Sequence, residues 1–150
     1  MNPAPDVDAG RLRGLLRDLV DIYSPSGKEE EIVRYAAEYL QARGLPVTRQ
    51  PVDENRFNVL VLPEDPASVD LCFVGHLDTV SAYDLEEYGY FEEEDVVSGL
   101  GTADMKGGCA AMMEAYTALA RAIGDVSPLG LALLVGEEEE SDGAKTLVRE

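Results

Sequence analysis

Apolar residues recur along the chain first with a helical period and later in short runs. Leu12, Leu15, Leu16, Leu19 and Val20 share one face of a helix predicted from about Ala9 to Tyr23, with Asp8 placed to cap it. Ser24-Pro25-Ser26-Gly27 ends that helix and opens a second, about Lys28 to Arg43, which carries Ile32, Val33, Ala36, Ala37 and Leu40 on one side. Gly44 is a natural C-terminal stop. The pattern then changes to strands. Pro46 to Val52 reads as an edge strand, Phe57 to Leu62 as a stronger one closed by Pro63 to Pro66, and Val69 to Val74 as a buried strand. Asp84 to Asp95 is acidic and tyrosine-rich without a period, which predicts a surface excursion. Val96-Val97 forms a short strand before the glycine-rich segment Gly99 to Gly108. A third helix follows, about Lys106 to Ile123, with Met112, Tyr116, Leu119, Ala120 and Ile123 as its buried face and Gly124 as its stop. Leu129 to Val135 is a second buried strand, and Gly143 to Glu150 opens a further helix.

Strand, helix and strand in succession predict a parallel crossover and an α/β fold. Parallel Val69–Val74 and Leu129–Val135 strands end at one edge of the sheet, where open α/β sheets bind their ligands. The chemistry is therefore expected in the residues after each strand and in the turn entering the third helix. The sequence contains no internal repeat and no linker.

Composition narrows the partners. The 150 residues are 45% hydrophobic and 28% charged, the profile of a folded soluble chain, and no apolar run approaches the length of a membrane span. Twelve basic against 30 acidic residues leave a net charge of −18, which repels nucleic acid and anionic membrane surfaces and leaves cations as possible partners. Cys72 and Cys109 lie in apolar stretches and read as buried thiols of a reducing compartment. Met1 to Asp8 lacks the pattern of a signal peptide, so a cytoplasmic location is expected.

Each of the three segments carries reactive groups and also an inert reading. In Gly75-His76-Leu77-Asp78-Thr79-Val80, the sole histidine suits a zinc-like ion, and Asp78 can accept the hydrogen bond of its other ring nitrogen. The alternative is a satisfied histidine at a strand end. In Gly99 to Gly108, Asp104 takes the place where a dinucleotide loop needs glycine, and the Gly-Lys-Ser/Thr of a phosphate loop is absent. Asp104 instead suits a carboxylate held in a tight turn and able to bridge cations, or a helix cap, while Lys106 reads as solvated or paired. In Gly136 to Gly143, Glu137, Glu138, Glu139 and Glu140 repel one another. They form a solvated loop, or hold a cation with one left over as a general base.

Taken in this order, the three segments resemble the M20 family of metallopeptidases and amidohydrolases, which includes acetylornithine deacetylase, succinyl-diaminopimelate desuccinylase and carboxypeptidase G2-like enzymes. Ser24 to Glu29 also looks like that family's opening loop, and the resemblance runs from about Leu12 to the end. It implies a mixed, largely parallel sheet flanked by helices, of the zinc-exopeptidase type. It further implies an amide-bond hydrolase using water activated by two zinc ions, or by cobalt or manganese, on an N-acyl amino acid or short peptide. Carried over by position, His76 ligates one metal, Asp78 orients His76, Asp104 bridges both ions, Glu137 is the general base and Glu138 ligates the second ion. Glu138 and Glu139 are the alternative pair.

The family pattern also asks for an acidic ligand further along and a histidine near the end of a much longer chain, and it includes a lid domain that often forms a homodimer interface. None of these lies within residues 1–150. The expectation is the N-terminal portion of a metallohydrolase catalytic domain, without the lid and C-terminal half and inactive alone. A non-catalytic metal-binding domain and an acidic interaction module are the alternatives. A half-complete sheet is also expected to expose an apolar edge at Leu129–Val135 and to favour association.

Overall fold

A computed structural model describes residues 4–84, 86–124 and 128–149. Helix α1 (Ala9–Asp21) starts where Asp8 accepts the Arg11 amide, and α2 (Glu30–Gln41) buries the five predicted residues Ile32, Val33, Ala36, Ala37 and Leu40. Strands β1 (Val47–Pro51) and β2 (Phe57–Val61) form an antiparallel pair. Strand β3 (Leu71–His76) precedes a small hairpin of β4 (Phe91–Glu93) and β5 (Val96–Ser98). A wide turn, Thr102–Lys106, then leads into α3 (Gly107–Ile123), β6 (Leu129–Leu134) and α4 (Asp142–Leu147). Glu150, the predicted end of the last helix, and Leu85, within the predicted excursion, lie outside the described residues.

The main sheet has the order β1-β2-β6-β3. The predicted crossover is present: β3 and β6 run parallel, with His76 opposite Leu134. The sheet is mixed as expected, although its pairings through β2 are antiparallel. Its two faces alternate along each strand. Val59, Val61, Leu131 and Leu133 join the core beneath α1, α2 and α3, whereas Leu60, Ala132 and Leu134 meet Ala144 and Leu147 of α4. Among the described residues, no helix is long and apolar enough to cross a membrane.

Four expectations change. The apolar edge lies at β3, because β6 is sandwiched between β2 and β3. Leu71 and Val74 are accordingly 52% and 48% exposed, and Cys72 is exposed rather than buried. The buried face of α3 is rotated toward α1, taking in Cys109, Ala110, Met113, Glu114, Thr117 and Ala118, while Ile123 is exposed. That face carries a buried charge: Glu114 accepts Arg11 Nη2 at 2.7 Å, Arg11 Nε at 3.2 Å and the Asp8 amide at 3.0 Å. Lys106 is buried, not solvated: its Nζ donates to the Ile22 carbonyl at the end of α1, at 2.7 Å. A helix C-terminus favours a cation, and burial holds this ammonium down at about 8. Lastly, the excursion is partly structured. Tyr88 packs on Tyr23 with ring centroids 5.1 Å apart, and the Tyr90 amide donates to Asp21 at 2.7 Å.

Gly143 tests how closely α4 approaches the sheet. A methyl group there would lie 2.4 Å from Asn58 Oδ1 and 2.6 Å from the Val135 carbonyl. Gly143→Ala is expected to destabilise by about 1–3 kcal/mol, as overpacking does. Gly14→Ala, in exposed helix with nothing within 4 Å, is expected to stabilise by about 0.5–1 kcal/mol. Urea unfolding of the two variants checks both signs.

Candidate metal centre

The carboxyl ends of β3 and β6 bring the three segments together. His76 is the last residue of β3 and is nearly buried. Its Nδ1 faces the Asp78 carbonyl oxygen at 3.0 Å and the Asp78 carboxylate at 3.4 Å, so the main chain shares the orienting role expected of the side chain. Its Nε2 points outward, 3.2 Å from Asp104 Oδ1 and 3.6 Å from Glu137 Oε2. Ligand atoms of His76, Asp104 and Glu138 all lie within 4.8 Å of one another.

Local backbone explains how each group arrives. Gly75 lets α3 pack directly behind β3: a methyl group there would lie 2.6 Å from Met112 Cε, and the Cys109 thiol donates to the His76 carbonyl at 3.1 Å. Burial pushes that thiol up to about 12. Asp104 does not cap α3, whose N-cap position is Lys106. It sits in the Thr102–Lys106 turn with extended dihedrals, followed by a cis peptide, and its side chain is 76% exposed. Gly107 allows the turn to fold over the Thr102 carbonyl, 2.6 Å from where a methyl group would stand. After β6, Gly136 turns the chain with a φ of 71°, and the next two residues send their amides inward to Asp78. Glu138 joins His76 and Asp104, while Glu139 and Glu140 remain exposed.

Asp78 is fully buried and saturated with donors. It accepts the amides of Glu137 and Glu138, each at 3.0 Å, and the Ser26 hydroxyl at 2.5 Å. Burial alone raises a carboxyl pKa, but His76, Ser26 and the two amides together outweigh it and hold Asp78 at about 2. The reciprocal hydrogen bond to Asp78 raises His76 to about 9 against the opposing effect of burial. Glu138 is raised by burial and then by repulsion from Asp104.

Sequence reasoning missed three participants. Ser26 reaches Asp78 because residues 24–26 run as a short parallel bridge beside Thr79. Glu29 is fully buried and accepts the Gly136 amide, and Arg56 pairs with Glu29. The opening loop Ser24 to Glu29 was the one available signal for Ser26 and Glu29. Nothing local marks Arg56.

Comparisons with known proteins give the family and the fold. The profile described as Peptidase family M20/M25/M40 matches residues 72–150. The chain belongs to that family. A probable carboxypeptidase of Aspergillus terreus is 37% identical over 139 residues, covering 86% of this chain and 32% of the relative. One from Emericella nidulans is 33% identical over 148 residues, covering 95% and 34%. Among solved structures, human carnosine dipeptidase 1 superposes with a TM-score of 0.75 at 25% identity, covering 99% of this chain and 38% of that one. A Staphylococcus aureus tripeptidase gives 0.73 at 25%, covering 93% and 40%. The chain thus spans about a third of the length of the curated relatives it matches.

Without metal, the sign of the His76 shift sets a pH dependence. Its pKa is raised from 6.5 to about 9, so the imidazolium contributes stability that is complete below 6.5 and lost as pH rises through about 9. Asp78, lowered from 3.8 to about 2, contributes stability present above 3.8 and lost as pH falls through about 2. The ring-proton NMR signal of His76, the only histidine, is expected to titrate near 9 in metal-free protein and clearly lower in Asp78→Asn.

Proposed function

We propose that this chain carries the N-terminal portion of the catalytic domain of a metal-dependent peptidase, with His76, Asp104 and Glu138 as metal ligands. The observation that carries the reading is the convergence of one imidazole and two carboxylates within 4.8 Å at the carboxyl edge of β3 and β6. The donor set suits zinc, and cobalt or manganese equally in kind. Two carboxylates facing each other, one with its pKa raised by burial and by the other's charge, form an arrangement that a divalent cation relieves. When bound, such an ion lowers the pKa of water and polarises an amide carbonyl.

The chain's own residues divide the remaining work. Asp78 holds His76 Nδ1, leaving Nε2 directed to the site. Asp104 would be the residue shared between two ions, as the family resemblance implies, with its Oδ1 3.2 Å from His76 Nε2. Glu137, half-exposed with its carboxylate 3.6 Å from Nε2, would act as the general base, taking a proton from the attacking water and returning it to the leaving amine. Three ligand residues fall short of the roughly four ligands per zinc found in structural sites, so a two-ion centre draws on groups beyond these. The resemblance to peptidases at 25% identity or more favours a short peptide over an N-acyl amino acid as substrate. The free thiols Cys72 and Cys109 are consistent with a reducing, cytoplasmic setting.

Calorimetric titration with Zn2+ tests the ligand set. His76→Ala, Asp104→Asn and Glu138→Gln are each expected to weaken binding by more than about 100-fold, beyond the cost of losing a group that only orients a ligand. Glu137→Gln is expected to leave binding nearly intact. Equal binding by wild type and His76→Ala would sink the assignment and leave the acidic interaction module.

A further inference from the structure

Three consecutive amides leave β6 pointing at buried carboxylates. Glu137 and Glu138 donate to Asp78, and Gly136 donates to Glu29 Oε1 at 2.9 Å. Glu29 is 107 residues away in sequence, fully buried and in contact with neither His76 nor Asp104 in any hydrogen bond or ion pair found among the described residues. Its oxygens face Arg56 Nη1 at 3.3 and 3.5 Å. The same guanidinium donates through Nη2 to Asp142 at 3.1 Å and through Nε to Asp53 at 2.6 Å. Gly136 and Asp142 bound the loop that presents Glu137 and Glu138. One planar cation therefore grips both ends of that loop, the first end through Glu29 and the second directly. A buried pair placed only to stabilise the fold has no need of this geometry, and buried ion pairs are in general a weak source of stability.

We infer that Glu29 and Arg56 are a positioning pair that sets the Glu137–Glu138 segment in register with His76 and Asp104. Glu29 fixes the Gly136 amide, and with it the direction in which the chain leaves the strand. Arg56 holds the Glu29 side chain in place at 3.3 Å and ties the far end of the loop at Asp142. Their consequence for metal rests on the ligand reading above, whereas their hold on the backbone does not.

The experiment is a Co2+ titration of the full chain, with residue-level amide exchange by NMR, on wild type, Glu29→Ala and Glu29→Gln. In Glu29→Ala the amides of Gly136, Glu137 and Glu138 are expected to exchange faster while Leu133, within the strand, keeps its protection. Co2+ affinity is expected to fall by about 10–100-fold, the usual cost of losing a group that orients a ligand. Glu29→Gln keeps an oxygen for the Gly136 amide and is expected to recover most of both losses. Uniformly faster exchange across the sheet with unchanged Co2+ affinity would overturn the inference, because it is what a merely structural pair gives. Should Glu29→Ala not fold, Arg56→Lys carries the same test: it keeps the charge but not the fork that spans Glu29 and Asp142, and unaltered exchange at residues 136–138 overturns the inference there. If wild type binds no Co2+, the ligand reading fails, and the positioning role is decided by exchange at those three amides alone.

Discussion

The site depends on a single buried carboxylate. Asp78 lies between three segments that are distant in sequence, and each sends it a donor: Ser26 from the loop after α1, His76 from β3, and the amides of Glu137 and Glu138 from the loop after β6. A carboxylate without water is costly unless it is paired and hydrogen-bonded. Here the donors are supplied in full, and the low pKa of Asp78 is the measure of that. The same contacts that offset its burial also fix the imidazole and the glutamate loop. Stability and geometry at this edge of the sheet are therefore one property.

This divides the acidic residues into two kinds. Asp78, Glu29 and Glu114 are fully buried, and each has cationic or amide donors around its oxygens. Asp104 and Glu137 are 76% and 53% exposed in their side chains, and their neighbour is the imidazole. The first kind hold the fold; the second keep lone pairs free on the side facing solvent. Much of the −18 charge belongs to neither kind and is solvated surface. Lys106 closes the Asp104 turn. Its buried ammonium on the Ile22 carbonyl pins the turn to the end of α1, so the most exposed of the site carboxylates still stands on a fixed backbone.

What was legible in the sequence followed local rules. The face of α2, the Asp8 cap and the glycine stops depend on residues within a few positions of one another, and they appear as read. The convergence of the His76, Asp104 and Glu137–Glu140 segments was legible because strand–helix–strand order places them at one edge, whereas the choice of Glu138 within its run came from the family resemblance alone. The misread features depend on what lies across space. Val74 and Cys72 look buried by composition, but β3 has a neighbour on only one side. Lys106 and Arg56 carry charges whose partners are 84 and 27 residues away, and the buried face of α3 includes a glutamate that pairs across 103 residues. No period or spacing encodes such pairs.

The run Glu137 to Glu140 makes the same point sharply. Four identical side chains carry no information about which of them faces His76, so the choice had to come from the backbone around them. Gly136 supplies a positive φ that a β-branched residue resists, and turns the chain as it leaves β6. Asp78 then takes the next two amides, one on each oxygen, which fixes the backbone of Glu137 and Glu138 and no others. The Ser141 amide closes the loop on the Gly136 carbonyl, and Glu139 and Glu140 are left in solvent, the latter 3.7 Å from Lys145. The backbone of Glu137 and Glu138 is thus held by a glycine and an aspartate, and not by anything in the glutamate run itself.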